Sequence, residues 1–367
     1  MNETLVRTAG ATPVKDGVVD CDIHPLPARP DDVLAYMPER WQEHHRVYGS
    51  HFRAPFRESS PWPRAAPAIS RRDAWPPNGN MPGSDLPFMR EQHLDLHNIE
   101  FGILQVLGFA TGSQRNLDYS AAIASALNQW QLDYWCNPEP RLKGSIVIPT
   151  EDPEAAVAEI ERWAGHPAFA QIFMTPRLTE PMGRRRYWPI YEAASRHNLP
   201  IGIHGGGHGA HATTGGGWPS YYIEEHPTAG QSAQALITSL IVEGVLERWT
   251  NLRFVVVEAG FAWVPALGWR LDKHWRRLRS EVPHIERLPS EQMHQHFWFT
   301  TQPVDEPERP DDMRRTFDWI GWDRILYASD YPHWDFDDPR YAFPFRLSPE
   351  ERAMLFRDNA VSLFGLA

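Results

Sequence analysis

The sequence predicts a single α/β domain folded as a (β/α)8 TIM barrel with a long insertion after strand one, on three observations. Eight short, apolar, β-rich runs recur along the chain, amphipathic helical patterns separate them, and several of the runs end in ionisable side chains. The strands are read at Val18–His24, Phe101–Leu107, Gly144–Pro149, Ala170–Met174, Pro200–His204, Arg253–Glu258, His296–Thr300 and Ile325–Asp330. The helical stretches include "DPEAAVAEIERWAG", with its acidic first turn, "YWPIYEAASRHN" and "QSAQALITSLIVEGVLERW", whose apolar residues recur at i, i+3 and i+4. No internal repeat points to a solenoid. With 367 residues and 42% hydrophobic content the chain can bury one large core, so residues 1–367 are read as one barrel domain.

Two connections are long. Residues 30–95, rich in Pro, Arg and Trp, are read as an excursion over the barrel mouth, and the Gly-rich residues 204–230 as a lid loop. The apolar residues between Trp62 and Pro87 predict contact with a second subunit, hence a homo-oligomer. The segment "GFAWVPALGWRLDKHWRRL" predicts a helix with Pro265 in its first turn and with Trp263 and Trp269 packed on the barrel.

Composition excludes several classes. The net charge is −11 and the basic runs extend no further than Arg184–Arg186 and Arg276–Arg277, which speaks against a nucleic-acid partner. No apolar run reaches the length of a membrane span of about 18 residues. Two cysteines make no disulfide framework, and the N-terminal residues lack the apolar core of a signal peptide, so a cytoplasmic protein is expected. The partner left is a small molecule.

Strand one poses the chemical question. In "GVVDCDIHPLP" strict alternation puts Val19, Cys21 and Ile23 on one face and Asp20, Asp22 and His24 on the other. Buried carboxylates and imidazoles are costly unless paired or bound to a cation. The strand ends supply the rest: His204 on strand five, Glu258 on strand six and Asp330 on strand eight. Each has a structural reading as a cap, turn residue or ion pair. Together, two imidazoles and carboxylates on one rim suit a divalent ion, with zinc expected and manganese or iron as alternatives. Such an ion would neutralise the carboxylates and acidify a bound water.

The order Asp-x-His on strand one, His on strand five and "ASDYPH" on strand eight resembles the amidohydrolase-related family of metal-dependent barrels. That group contains aminocarboxymuconate-semialdehyde decarboxylase and resorcylate decarboxylase. The resemblance spans nearly the whole chain, and "RILYASDYPHWD" and "LRFVVVEAGFAWVPALGWRLD" are its most specific segments. It implies Asp22, His24, His204 and Asp330 as metal ligands, with Asp330 also moving a proton, and Asp22 standing where relatives carry His or Glu. The family's decarboxylases end strand six in a His that serves as acid or base, whereas this chain has Glu258. An ionised carboxylate cannot donate a proton as an imidazolium can.

The reading that follows is a metal-dependent hydrolase of a small cyclic, aromatic or heteroaromatic compound acting through metal-activated water. Asp330 is its general base. Glu258 either takes part directly or steadies His204 or His24 through the other ring nitrogen. His208 is a further candidate for the proton chemistry, and His211, Trp218 and His333 for substrate binding, with Arg or Trp residues of the excursion. The alternatives are a non-oxidative decarboxylase of an aromatic or unsaturated acid and, from another class, a non-catalytic barrel that binds a partner.

Overall fold

Runs of β-branched and aromatic residues form the strands: β1 (Val18–Ile23), β2 (Ile99–Leu104), β3 (Leu142–Val147), β4 (Phe169–Met174), β5 (Ile201–His204), β6 (Phe254–Val257), β7 (Phe297–Thr300) and β8 (Ile325–Leu326). The structure is a computed structural model, and it describes residues 17–49, 69–108, 114–205 and 211–366. The strands pair in sequence order from β1 to β8, and every pairing is parallel. Backbone bonds from Cys21 N to Tyr327 O (3.0 Å) and from His24 N to Tyr331 O (2.8 Å) join the eighth strand region to the first. The fold is a (β/α)8 TIM barrel, and all strand C-termini meet at one rim.

The helices run outside: α1 (Glu39–Tyr48), α2 (Leu117–Trp130), α3 (Pro153–Trp163), α4 (Trp188–Arg196), α5 (Ala229–Val242), α6 (Val264–Leu278), α7 (Pro310–Ile320) and α8 (Asn359–Phe364). Helix α3 shows why. The Asp152 side chain accepts from Ala155 N, Pro153 occupies the first turn, and Ala156, Ile160 and Trp163 form the buried stripe. One apolar cluster draws Val19, Cys21, Ile103, Ala170, Val255, Val257, Trp298 and Leu326 from six strands and adds Ala360 and Leu363 of α8. Side chains from non-adjacent strands meet only inside a barrel, so this cluster is its plug, and α8 closes the end away from the rim.

Four readings are corrected. Strand β2 begins two residues before the expected Phe101 and ends at Leu104 rather than Leu107, while β8 keeps only Ile325 and Leu326. The chain after Leu326 leaves the ladder and turns to reach Asp330 at φ +62°. The other strands match to within two residues. In β1 the pairing with β2 shifts between Asp20 and Ile23, so alternation breaks: Val19 and Cys21 face the inner cluster, whereas Ile23 joins Val18 in the outer core. Asp20 therefore turns outward, to His93, instead of sharing a face with Asp22 and His24. Helix α6 forms with Pro265 in its first turn and Trp263 bonded to Ala259 O, but Trp269 is 62% exposed and touches Trp319 edge-on.

The insertion carries regular structure, α1 and a helical stretch from Leu86 to Leu94. Its return path lies against the ends of β1 and β8. Ser70 bridges His333, Trp334 N donates to Ile69 O at 2.7 Å, and Gly83, at φ +72°, approaches so closely that a Cβ would stand 2.4 Å from His24 O. Residues 50–68, with Trp62, lie outside the described residues. Cys21 and Cys136 are buried free thiols, and among the described residues no helix is long and apolar enough to cross a membrane.

Candidate metal centre and active site

Four strand ends deliver the chemistry. Asp22 and His24 come from β1, His204 is the last residue of β5, Glu258 follows β6, and Asp330 and His333 lie on the loop after β8. Glu258 and Asp330 both sit in the left-handed region, at φ +51° and +62°. Such a conformation costs a non-glycine residue about 1–3 kcal/mol and persists where surroundings enforce it. Gly205 makes room for the turn at β6, since a Cβ there would meet Glu258 O at 2.3 Å.

The side chains converge. His24 Nε2 lies 3.1 Å from Asp22 Oδ1 and 2.8 Å from Asp330 Oδ1, and His204 Nε2 lies 2.9 Å from Glu258 Oε2 and 3.6 Å from Asp22 Oδ2. Ligand atoms of Asp22, His24, His204 and Glu258 fall within 4.8 Å of one another, and all four residues are buried. His24 Nδ1 donates to the carbonyl of Gln105 at 2.9 Å, which leaves the Nε2 lone pair aimed at the carboxylates. Both Asp22 oxygens and Glu258 Oε2 are buried and make no hydrogen bond among the described residues. Orphaned acceptors facing imidazole lone pairs fit a divalent cation.

The charges of these residues depend on one another. Burial penalises every charge here, yet His24 and His204 hold Asp22 down at about 2, while Glu258 and Asp22 lift His204 to about 9. His24 is raised well above the usual imidazole value by Asp22 and Asp330 against its burial. Burial opposes the charge of Glu258, but His204 and His226 pull its carboxyl well below the usual range. Asp330 goes the other way: burial, then Glu258, push it well above the usual range. Protons on His24 and His204 thus do the work that a metal ion would take over. Metal binding at pH 7 should release protons from both imidazoles, and apparent affinity should climb with pH through about 9, where half of His204 is neutral. Calorimetry in buffers of different ionisation enthalpy measures this; binding without proton release would contradict it.

The other expected residues divide. His333 joins the site, 2.6 Å from Asp330 Oδ1 and stacked on His24 at 4.3 Å. His208 lies outside the described residues. His211 is exposed and Trp218 is 48% exposed, and neither forms a hydrogen bond or ion pair with the cluster among the described residues. Glu258 meets His204 at Nε2, the nitrogen that also faces Asp22, rather than at the other ring nitrogen. Missed from sequence were His226, 3.5 Å from Glu258 Oε1 and 3.3 Å from Asp335 Oδ2, and Gln302, whose Nε2 reaches Asp330 Oδ2 at 3.3 Å and Asp335 Oδ2 at 3.1 Å. Tyr222 and Trp334 flank His226, joined by a 3.3 Å bond from Trp334 Nε1 to the Tyr222 hydroxyl. Asp335 closes the segment "ASDYPHWD", so its place beside Asp330 was the available signal.

Comparisons with known proteins assign the family and match the fold. The family model described as amidohydrolase matches residues 19–366. A gamma-resorcylate decarboxylase of Polaromonas sp. is 23% identical over 314 residues, covering 78% of this chain and 93% of the relative. Among solved structures, a dihydroxybenzoic acid decarboxylase of Polaromonas sp. with bound manganese and 2-nitroresorcinol superposes with a TM-score of 0.68 at 20% identity, over 96% of this chain and 97% of that one. A 5-carboxyvanillate decarboxylase of Novosphingobium aromaticivorans, complexed with manganese and 4-hydroxy-3-methoxy-5-nitrobenzoic acid, gives 0.71 at 18% identity, over 96% and 97%. At these identities the structural likeness shows the fold. The relatives are decarboxylases, so they favour the decarboxylase alternative over the hydrolase expected from Glu258, and the solved neighbours hold manganese rather than the expected zinc.

Proposed function

The chain belongs to the amidohydrolase family, and on that premise we propose that it is a non-oxidative decarboxylase of a small aromatic carboxylic acid, dependent on one divalent ion, with manganese the first candidate. The observation that carries this reading is the buried donor set of Asp22, His24, His204 and Glu258 at the barrel mouth, with Asp330 2.8 Å from His24, in a chain whose curated relatives are decarboxylases. When bound, the ion supplies positive charge to hold the substrate's carboxylate and a neighbouring ring oxygen.

Asp330 moves the proton. Its carboxyl hands a proton to the ring carbon that bears the carboxylate; the bond from ring to carboxylate then breaks, the electron pair returns to the ring, and CO2 leaves. His24, His333 and Gln302 hold Asp330 from three sides, at 2.8, 2.6 and 3.3 Å. With the proton drawn from the loop after β8, a His at the end of β6 is not required, and Glu258 serves to hold His204 and His226. Tyr222 and Trp334, whose rings stand at 69° to each other, offer aromatic surface beside His226 for a planar ring.

A metal-dependent hydrolase is the second reading, and Glu258 is what favours it. A panel of hydroxybenzoates, including 2,6-dihydroxybenzoate, assayed with manganese beside lactones and amides, separates the two. CO2 release from an ortho-hydroxylated acid is the expected result. Hydrolysis of a lactone or amide with no CO2 from any acid would overturn the decarboxylase.

A further inference from the structure

We propose that Asp20 is a positioning residue for the metal centre, its carboxylate setting the distance between the ligands carried by β1 and those carried by the loop after β8. The inference rests on the metal reading above.

The junction of β8 with β1 is where the barrel's ladder is poorest. Strand β8 has two residues, β1 shifts register between Asp20 and Ile23, and the residues beyond meet in one isolated bridge, Ile23 with Tyr331. Asp20 fills that gap. Its Oδ1 accepts from Asp22 N at 3.1 Å and Ser329 N at 2.9 Å; its Oδ2 accepts from Ser329 Oγ at 2.5 Å and His93 Nε2 at 2.8 Å. Four donors therefore converge on one fully buried carboxylate. Two of them are the backbone amides of Asp22 and of the residue preceding Asp330.

The tether reaches both sides of Asp330. Ser329 Oγ, itself bonded to Asp20, accepts from Tyr331 N at 3.1 Å, and the Tyr331 ring stacks on His93 at 4.6 Å. His93 is backed by His97, with their Nδ1 atoms 3.2 Å apart. The left-handed turn at Asp330 is thus gripped before and after by groups that answer to one carboxylate. The two aspartates of "DCD" divide the labour: Asp20 has every oxygen bonded and cannot bind a metal, whereas both oxygens of Asp22 are without a hydrogen bond and can.

Asp20→Asn and Ser329→Ala test the idea. Asparagine keeps one acceptor but turns an N–H toward the Ser329 hydroxyl and His93. Alanine removes the hydroxyl without changing charge, and it is the milder variant should the first fail to fold. Manganese Kd by equilibrium dialysis, the electron paramagnetic resonance spectrum of bound manganese, and the melting temperature of the metal-free protein are read together. Both variants should weaken binding by about 10–100-fold, the usual loss for partners that orient ligands, and alter the spectrum. A lowered melting temperature with Kd and spectrum unchanged would show that Asp20 merely holds the barrel together, and would overturn the proposal. A native protein that binds no divalent ion would instead overturn the metal reading on which it rests.

Discussion

Replacing His204 with alanine is expected to abolish metal binding and turnover together. The imidazole is fully buried between two carboxylates, 2.9 Å from Glu258 and 3.6 Å from Asp22. Without it the centre keeps one nitrogen donor, from His24, and leaves two buried carboxylates facing a cavity with less to hold them. Groups that only orient ligands are worth about 10–100-fold in metal affinity, so loss of a ligand should exceed about 10²-fold. Elemental analysis after dialysis, with circular dichroism to verify the fold, measures the effect. Full metal occupancy in His204→Ala would remove this residue from the ligand set.

The second large effect is expected at Asp330. Asparagine matches the carboxyl in shape and still offers an oxygen to His24 Nε2, but it has no proton to give a ring carbon. General acid catalysis contributes about 10²–10⁴-fold, so turnover of Asp330→Asn should fall by about 10³-fold while part of the metal remains. The ratio of kcat to metal content on one sample separates the two losses. Unchanged turnover per bound metal would mean that the proton comes from another group.

Much of this centre could be read from the chain because a barrel strand runs straight into its rim: an apolar run that ends in His204, or one residue short of Glu258, announces a side chain at the mouth. What failed did so for local reasons. Asp20 was assigned to the wrong face because a register shift in β1 is invisible to a period-2 reading. The expected eighth strand was too long because Tyr327 and Ala328 prolong the apolar run of Ile325 and Leu326, whereas Ser329 and Asp330 are turn residues and the backbone there turns away to set Asp330. His226 and Asp335 were missed because loops bring them in, and loop geometry carries no periodicity. The hydrolase reading came from Glu258 standing where the family's decarboxylases carry a proton-donating His, with Asp330 taken as a base rather than an acid; burial and Glu258 raise the Asp330 carboxyl instead.

The bond between Ser329 and Asp20 links residues 309 positions apart. A ribosome adding about 5–20 residues per second needs roughly 15–60 s to deliver the second after the first. For that interval Asp22 and His24 exist without His204, then without Asp330, and can hold no ion with the geometry of the finished centre. An ion taken by the proposed centre is therefore chosen late, by the closed barrel and not by the nascent chain.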